Sequence, residues 1–498
     1  MRNKRLAWNT LSGLILQGTT IICGFILPRA ILNRFGSEVN GLTNSIAQFL
    51  QMIAFLELGV GSVMQSALYK PLADRNEDRI SEVVASGSRF YRKLGGMLVA
   101  YVVGLIIFFP LFVDRKYGFV FDATLILAMS ISHFTRYYFG LVDSLLLKAD
   151  QKAYIINTIN TVTLIINTAC CYCLLQIGCS IQVVKFTTAG IFLLRRVLVR
   201  CYVRRNYRID RKRTYEKDPI TQKWNGIAQH VAAIVLDGTD MVVLSVFSDM
   251  YAVSVYSVYL IVVSGIKSLV LSCYHGISPL LGELWAKREK AKLDRYFGFT
   301  EWFVHTVVLF AWCCTYKLIV PFVMVYTKNL TDVNYNVPVF AALICIAYAL
   351  YCLRLPFNSM ILAAGHYKNT QVIYIVGATM NLVLSVLAVS RWGLVGVTVG
   401  TIAAMLYQVI HMGYYVLKHL KVHSVKRTAK QFIFDVAAIV VIMYATSFIS
   451  ATEVSWTGWI MLAVKHAAVI AACIVVMNLL CYRKESVQIV KKLRKQKS

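Results

Sequence analysis

Acidic charge is what this chain has least of. Only 24 Asp and Glu stand against 52 Lys and Arg, and charged residues of both signs make up 15% of the 498 positions. Soluble domains carry about 25%, so an ordinary water-soluble fold is excluded. Catalytic signatures are missing too: there is no phosphate-cradling glycine loop, nucleophile elbow, zinc-binding helix or pair of catalytic carboxylates. No enzyme and no cofactor are expected. Metal-ligand spacing is absent as well. The 13 cysteines are an odd number, and Cys170, Cys171 and Cys173 have no second pair of ligands nearby, so packing in apolar surroundings accounts for them better than zinc. Sizeable loops on the charge-poor side are lacking, which counts against a membrane polymerase or glycosyltransferase. A net charge of +28 suggests nucleic acid, but no basic soluble domain exists to carry phosphate contacts.

Long apolar runs are what the chain has instead. Hydrophobic residues reach 58% and mean hydropathy is +0.61, the profile of a polytopic membrane protein. A helix needs about 20 apolar residues to cross a bilayer, and this criterion predicts about 14 transmembrane helices in an all-α protein. They fall near 8–31, 42–68, 94–113, 121–147, 154–177, 181–203, 224–247, 253–281, 302–326, 337–362, 370–389, 394–417, 432–450 and 459–482. The runs are long and continuous, without the alternation of a barrel strand. Loops alternate between strongly basic and nearly uncharged, which places both termini in the cytoplasm by the positive-inside rule. The basic, apolar N-terminus lacks a small-residue cleavage site and reads as a retained span.

One stretch organises the rest: LPRAILNRFGSEVNGLTNSIAQFLQMIAFLELGVG, residues 27–61, joins the first span to a second carrying Glu57 deep among apolar neighbours. A carboxylate at mid-bilayer costs roughly 3 kcal/mol on insertion scales and usually faces a polar interior or a partner. The segment MVVLSVFSDMYAVSVYSVYLIV, residues 241–262, repeats its outline, and LLLKADQKAYIIN at 145–157 matches MILAAGHYKNTQVI at 360–373. The spacing predicts two six-helix lobes of the same orientation, 1–203 and 224–417. A basic cytoplasmic linker, 204–223, joins them, and two extra helices with a basic tail occupy 418–498. Parallel repeats of this kind hold a binding site at their interface in transporters.

Charges within the spans mark the candidate site. Cations are Arg29, Arg136, Lys185, Lys267, Lys317 and Arg354; anions are Glu57, Asp143, Asp237 and Asp240. Several fixed cations suit a phosphorylated cargo, and the planar arginine fork suits phosphate oxygens. Arg29, Arg136, Lys267 and Arg354 are therefore the substrate-binding candidates. Arg29, Lys185 and Lys317 lie near span ends, where snorkelling to the interface explains them as well. Glu57, Asp143, Asp237 and Asp240 are candidates for a coupling ion, or for internal pairs with Arg136, Lys267 and Arg354. His133, His275, His305 and His411 are scattered and read as packing or hydrogen-bonding residues. GELWAKREKAKLDRYF, 282–297, alternates as an interfacial helix would. Asn329-Leu330-Thr331 fits a glycosylation triplet on the outer side.

The 27–61 stretch, followed by ALYKPLADRNEDRISEV, and the later segment LDGTDMVVLSVFSDMYAVSVYSVY resemble bacterial polysaccharide flippases of the Wzx type. That resemblance implies the superfamily of the multidrug and toxin extruders and the lipid II flippases, with two six-helix lobes in a V around a central cavity. It implies alternating access and a cargo of undecaprenyl-diphosphate-linked oligosaccharide moved from inner to outer leaflet of the cytoplasmic membrane. Capsule, exopolysaccharide or O-antigen assembly would then be the setting, with a polysaccharide polymerase and other assembly proteins as partners besides membrane lipids. Arg29, Glu57, Asp237 and Asp240 stand inside the matching motifs; the helix carrying Lys185 matches poorly. Two other readings stay open: a cation-coupled multidrug exporter of the same fold, and a membrane scaffold that docks a glycan assembly complex on its basic loops.

Overall fold

The computed structural model describes residues 2–57, 60–113, 116–211, 213–215, 227–275, 277–449 and 453–482; a few side chains within these ranges, Asp237 and His275 among them, lie outside the description. Every regular element in the described residues is a helix. The chain is an all-α, multi-pass membrane protein. Among the described residues, nine helical stretches are long and apolar enough to cross a membrane. Each span expected from the sequence is mainly helical where it is described, with turns at Ile277, at Arg354 and over 446–448. The stretches 7–52 and 368–419 each hold two legs, because a glycine breaks the helical path inside each of them.

Those breaks follow from backbone chemistry. Helix α1 (Arg2–Met52) turns at Gly36, where φ is 80°. Helix α14 (Tyr367–Tyr414) turns at Gly393, where φ is 49°. Positive φ is a conformation glycine adopts without penalty. Between these lie α2 (Val60–Ala73), α3 (Glu77–Phe112), α4 (Phe119–Thr135), α5 (Leu141–Ala149), α6 (Ala153–Ile177), α7 (Ile181–Asn206) and α8 (Ile227–Phe247). Then come α9 (Met250–His275), α10 (Ser278–Ala286), α11 (Lys290–Tyr326), α12 (Pro338–Leu353) and α13 (Leu355–Ala363). The chain ends with α15 (Val425–Ala445) and α16 (Trp456–Cys481). Asn76 caps α3 by accepting the Arg79 N–H at 3.0 Å. The stretch 282–297 is not one interfacial helix: it divides between the end of α10 and the start of α11, with Arg288 at φ 57° in the turn.

The chain forms two compact units, Met1–Ser254 and Val255–Ser498. The core of the first is built on Leu42, Ile46, Leu50, Met64, Tyr91, Phe109 and Leu146. In the second, Leu309, Cys313, Phe434, Ala438, Ile442, Ile470 and Ile474 join α11, α15 and α16. Large apolar side chains such as Ile177, Val440 and Leu480 stay exposed. In water these would be a liability; against hydrocarbon they are the solvated face, while backbone polar groups are satisfied inside the helices. All thirteen cysteines are free.

After α7 the chain does not run loose. Residues 207–211 and 213–215 lie against the first unit, with Tyr207, Ile209, Arg211, Arg213 and Tyr215 half-buried while Arg208, Asp210 and Thr214 are exposed. Tyr207 donates to Asp150 at 2.5 Å and Lys152 donates to Tyr207 at 3.0 Å. Arg211 pairs with Asp143 and Arg213 with Asp78. Residues 212 and 216–226, the rest of the expected linker, lie outside the described residues.

Candidate functional site

Two clusters of intramembrane charge stand out, one in each unit. In the first, α4 ends at Thr135 and a π-helical turn, Arg136–Gly140, follows before α5. Such one-residue expansions of a helix recur at functional positions because they re-aim side chains. Here the turn presents Arg136 and Tyr137 to Glu57, which closes the 3-10 turn Ile53–Glu57. Arg136 Nη2 lies 3.1 Å from Glu57 Oε1, and the Tyr137 hydroxyl donates to the same oxygen at 2.7 Å. Tyr91, fully buried, is close enough to this pair to feel both charges, and its hydroxyl has no hydrogen-bond partner among the described residues. Arg136 therefore has a carboxylate partner, and of the four candidates that the sequence offered it is Glu57.

Helix α7 extends this polar region. Arg195 donates to Thr163 Oγ1 at 2.8 Å, and Arg196 packs so tightly on Gly140 that a side chain there would collide with it. Arg200 lies 5.7 Å from the Phe139 ring. These three arginines were not singled out from the sequence, although three arginines within six residues of an apolar span were a visible signal. Lys185, on the same helix, is half-buried.

In the second unit, α12 and α13 are separated at Arg354 because Pro356 has no N–H to give Cys352 and its ring crowds that carbonyl. Arg354 sits in the break, 7% exposed. Its guanidinium donates to Gln408 on α14, and its carbon lies 4.4 Å from the centre of the Tyr351 ring. The Lys267 ammonium, from α9, approaches the same ring at 4.3 Å and the Tyr348 ring at 5.4 Å. Two cations thus share one aromatic ring. Arg354 forms no ion pair among the described residues, and its Nε is buried without an acceptor. The chemistry offered is that of an anion site: two fixed positive charges, a planar donor fork and a phenol hydroxyl in low dielectric.

Structural comparison fixes the architecture. No family model matches the sequence. No curated protein matches it either. Among solved structures, the chain is similar to the lipid II flippase MurJ in an inward closed conformation, with a TM-score of 0.70 at 14% identity over 96% of this chain and 99% of that one. It is also similar to an inward-facing multidrug resistance MATE family transporter of the MOP superfamily, with a TM-score of 0.65 at 13% identity, covering 81% of this chain and 96% of that one. The Vibrio cholerae MATE transporter VcmN in its bent form gives 0.56 at 14% identity, covering 86% and 98%. The chain has the MurJ and MATE fold.

Within that MATE-type fold the other candidates are placed as follows. Arg29 is half-buried on α1. Asp143, fully buried on α5, is bound by Arg211 from the segment after α7. Asp240 is buried on α8, while the Asp237 side chain lies outside the described residues. Lys317 is half-buried on α11, 5.9 Å from the Tyr316 ring. The structure brings Glu57 to Arg136 and Lys267 to Arg354. Tyr137, Tyr351 and Gln408, which complete these clusters, were missed because tyrosine and glutamine in apolar runs carry no motif; the Tyr351-x-x-Arg354 spacing on one helix face was the available clue.

Proposed function

We propose that this protein moves an undecaprenyl-diphosphate-linked oligosaccharide from the cytoplasmic to the outer leaflet of the bacterial cytoplasmic membrane, for assembly of a surface polysaccharide. The observation that carries the reading is the Lys267–Tyr351–Arg354 cluster: two cations held on one ring, with a buried Arg354 Nε lacking an acceptor, suit a diphosphate and disfavour a cationic drug. The MurJ and MATE fold supports a transporter, and the flippase named among the similar structures handles a lipid-linked cargo, lipid II. On this reading the protein is no enzyme: no bond of the cargo is made or broken, and alternating access presents the site to each leaflet in turn. Both termini lie in the cytoplasm, and a polysaccharide polymerase takes the cargo on the far side.

Deletion of the gene, followed by analysis of lipid-linked intermediates and surface glycan, tests this. Accumulated undecaprenyl-diphosphate-linked glycan on the cytoplasmic side, with surface glycan lost and not restored by Arg354→Ala, is the expected result. Unchanged intermediates, together with protection of expressing cells from cationic dyes, would replace it with drug export.

A further inference from the structure

Among the described residues, a further cluster of buried titratable side chains takes no part in the sites above. It lies in the second unit, where α11 meets α15. Glu301 and His305 are four residues apart on α11 and so share one face. His305 has no exposed side-chain surface, and its Nδ1 lies 2.5 Å from Asp435 Oδ2 on α15. Gln431 donates to the other oxygen of Asp435 at 3.2 Å. Glu301, equally buried, accepts from Thr428 at 3.2 Å and lies 3.8 Å from His423 Nε2. The opposite nitrogen of His423 is 2.7 Å from Asp294 Oδ1, and Asp294 is half-exposed beside Arg427. From the surface inward the order is Asp294, His423, Glu301, His305, Asp435. Acid and imidazole alternate.

We infer that this file is a proton-binding site: Glu301, His305 and Asp435 hold exchangeable protons in the interior of the second unit, and Asp294 with His423 connects them to the surface. Charge balance argues for it. With both buried carboxylates ionised and both imidazoles neutral, the interior would carry two negative charges. No lysine or arginine reaches either carboxylate among the described residues. Buried charges that lack a partner are neutralised by taking up a proton, and one proton on each of the pairs His305–Asp435 and His423–Glu301 restores neutrality. Two atoms point to the same conclusion: Glu301 Oε1 and His305 Nε2 are buried without hydrogen-bond partners among the described residues.

Among the described residues, α15 and α16 carry no buried lysine or arginine, and Arg354, buried where α12 and α13 pack against α11, is bound to Gln408. On α15, Arg427 serves Asp294 at the surface, and the Lys430 ammonium lies over the Tyr482 ring, 4.9 Å from its centre. On α11, Cys313 lies two turns beyond His305, within the apolar layer. On α16, His466 faces the Leu462 carbonyl of its own helix at 3.0 Å, and Asn478 accepts from Trp302 at 2.6 Å. Transfer along the file needs only a proton: Asp294 gives one to His423 Nδ1, and the imidazole releases another from Nε2 to Glu301. Imidazole is suited to this relay because it exchanges protons near neutral pH at two distinct nitrogens. The assignment does not depend on the cargo.

Infrared difference spectra of the full-length protein in lipid, between acidic and alkaline buffer, test it. The expected wild-type signal is a protonated-carboxyl band that disappears on alkalinisation. Glu301→Gln or Asp435→Asn should remove it, and His305→Gln, which keeps a hydrogen bond to Asp435 without exchanging protons, should displace its midpoint. His423→Gln, at the entrance, leaves the His305–Asp435 pair in place; it should slow the response to a pH jump severalfold. A carboxyl signal identical in wild type, Glu301→Gln and Asp435→Asn would overturn the proposal, as would an unaltered pH-jump rate in His423→Gln. Loss of surface glycan in any of these variants bears on the flippase reading and leaves this one untouched.

Discussion

The Asn40 amide donates to the Ser254 hydroxyl at 2.8 Å, tying the turn that follows Gly36 to the start of α9. These are the two segments whose sequences repeat each other, FGSEVNGL and FSDMYAVS. The matching turns of the repeat thus meet. Glu38 strengthens the contact by accepting from Lys116 at 2.5 Å, Tyr117 at 3.3 Å and Tyr251 at 3.2 Å. Gly41 has no room for a side chain, because a Cβ would run into the Met250 carbonyl.

Gly41→Val should therefore separate the two turns. We expect a cysteine placed at Ser254 to react severalfold faster with a membrane-impermeant thiol reagent in the Gly41→Val background than alone, native cysteines having been replaced. Equal rates would show that the turn tolerates the side chain without moving. Alkaline buffer is not expected to open the contact in the same way. The Glu38 hydrogen bond raises the pKa of Lys116, so the contribution of this pair is fully present below the ordinary lysine value and is lost only as pH rises through the higher folded one.

Glu57 and Arg136 should behave as a unit. The arginine side chain is 41% exposed, so solvent screening limits the pair to about 1 kcal/mol. Glu57→Gln and Arg136→Gln are each expected to lower stability by about that amount, and the double variant by less than the sum. Additive losses in thermal unfolding would place the two side chains in separate interactions.

The segment after α7 should detach when its buried anchor is cut. Asp143 has no exposed surface and Arg211 neutralises it, so Arg211→Ala leaves a buried charge uncompensated, a loss of about 3 kcal/mol. Replacing both residues, by Asp143→Asn with Arg211→Ala, should cost less than Arg211→Ala alone. Limited trypsin digestion reads the release directly: cleavage after Arg208 and Arg213 should accelerate severalfold in either variant, and unchanged cleavage would mean that Tyr207 and Arg213 suffice to hold the segment. The contrast with the sequence is instructive. A run such as RRNYRIDRKRTYEK looks like a solvated basic loop, because the carboxylates it meets, Asp78, Asp143 and Asp150, are scattered over some seventy preceding positions.

Legibility followed the range of the interactions. Helical spans are written in local hydropathy, and the structure places helices on them. The glycine breaks at Gly36 and Gly393 were visible as turn residues between apolar runs. Partnerships were not. Arg136 finds Glu57 through a π-helical turn that no residue pattern announces, and His305 looked like one of several scattered histidines until α15 placed Asp435 beside it. Such pairings depend on helix rotation, which period alone leaves free by a residue or more.

Tyr351 offers the sharpest test of the proposed anion site, because its ring face and its hydroxyl can be removed separately. Tyr351→Phe keeps the face on which Lys267 and Arg354 rest, whereas Tyr351→Ala removes it; a cation–π contact contributes about 0.5–2 kcal/mol, so the alanine variant should weaken cargo binding roughly 2- to 30-fold while the phenylalanine variant stays near wild type. Arg354→Lys should fail despite keeping the charge, since a point-like ammonium cannot reach Gln408 and present a planar fork at the same time. Surface glycan and lipid-linked intermediates in complemented deletion strains, at matched protein levels, measure all three. Function in Tyr351→Ala equal to wild type would remove the ring as the organiser of the two cations. Function in Arg354→Lys would reduce the site to net charge, which Lys267 alone already supplies.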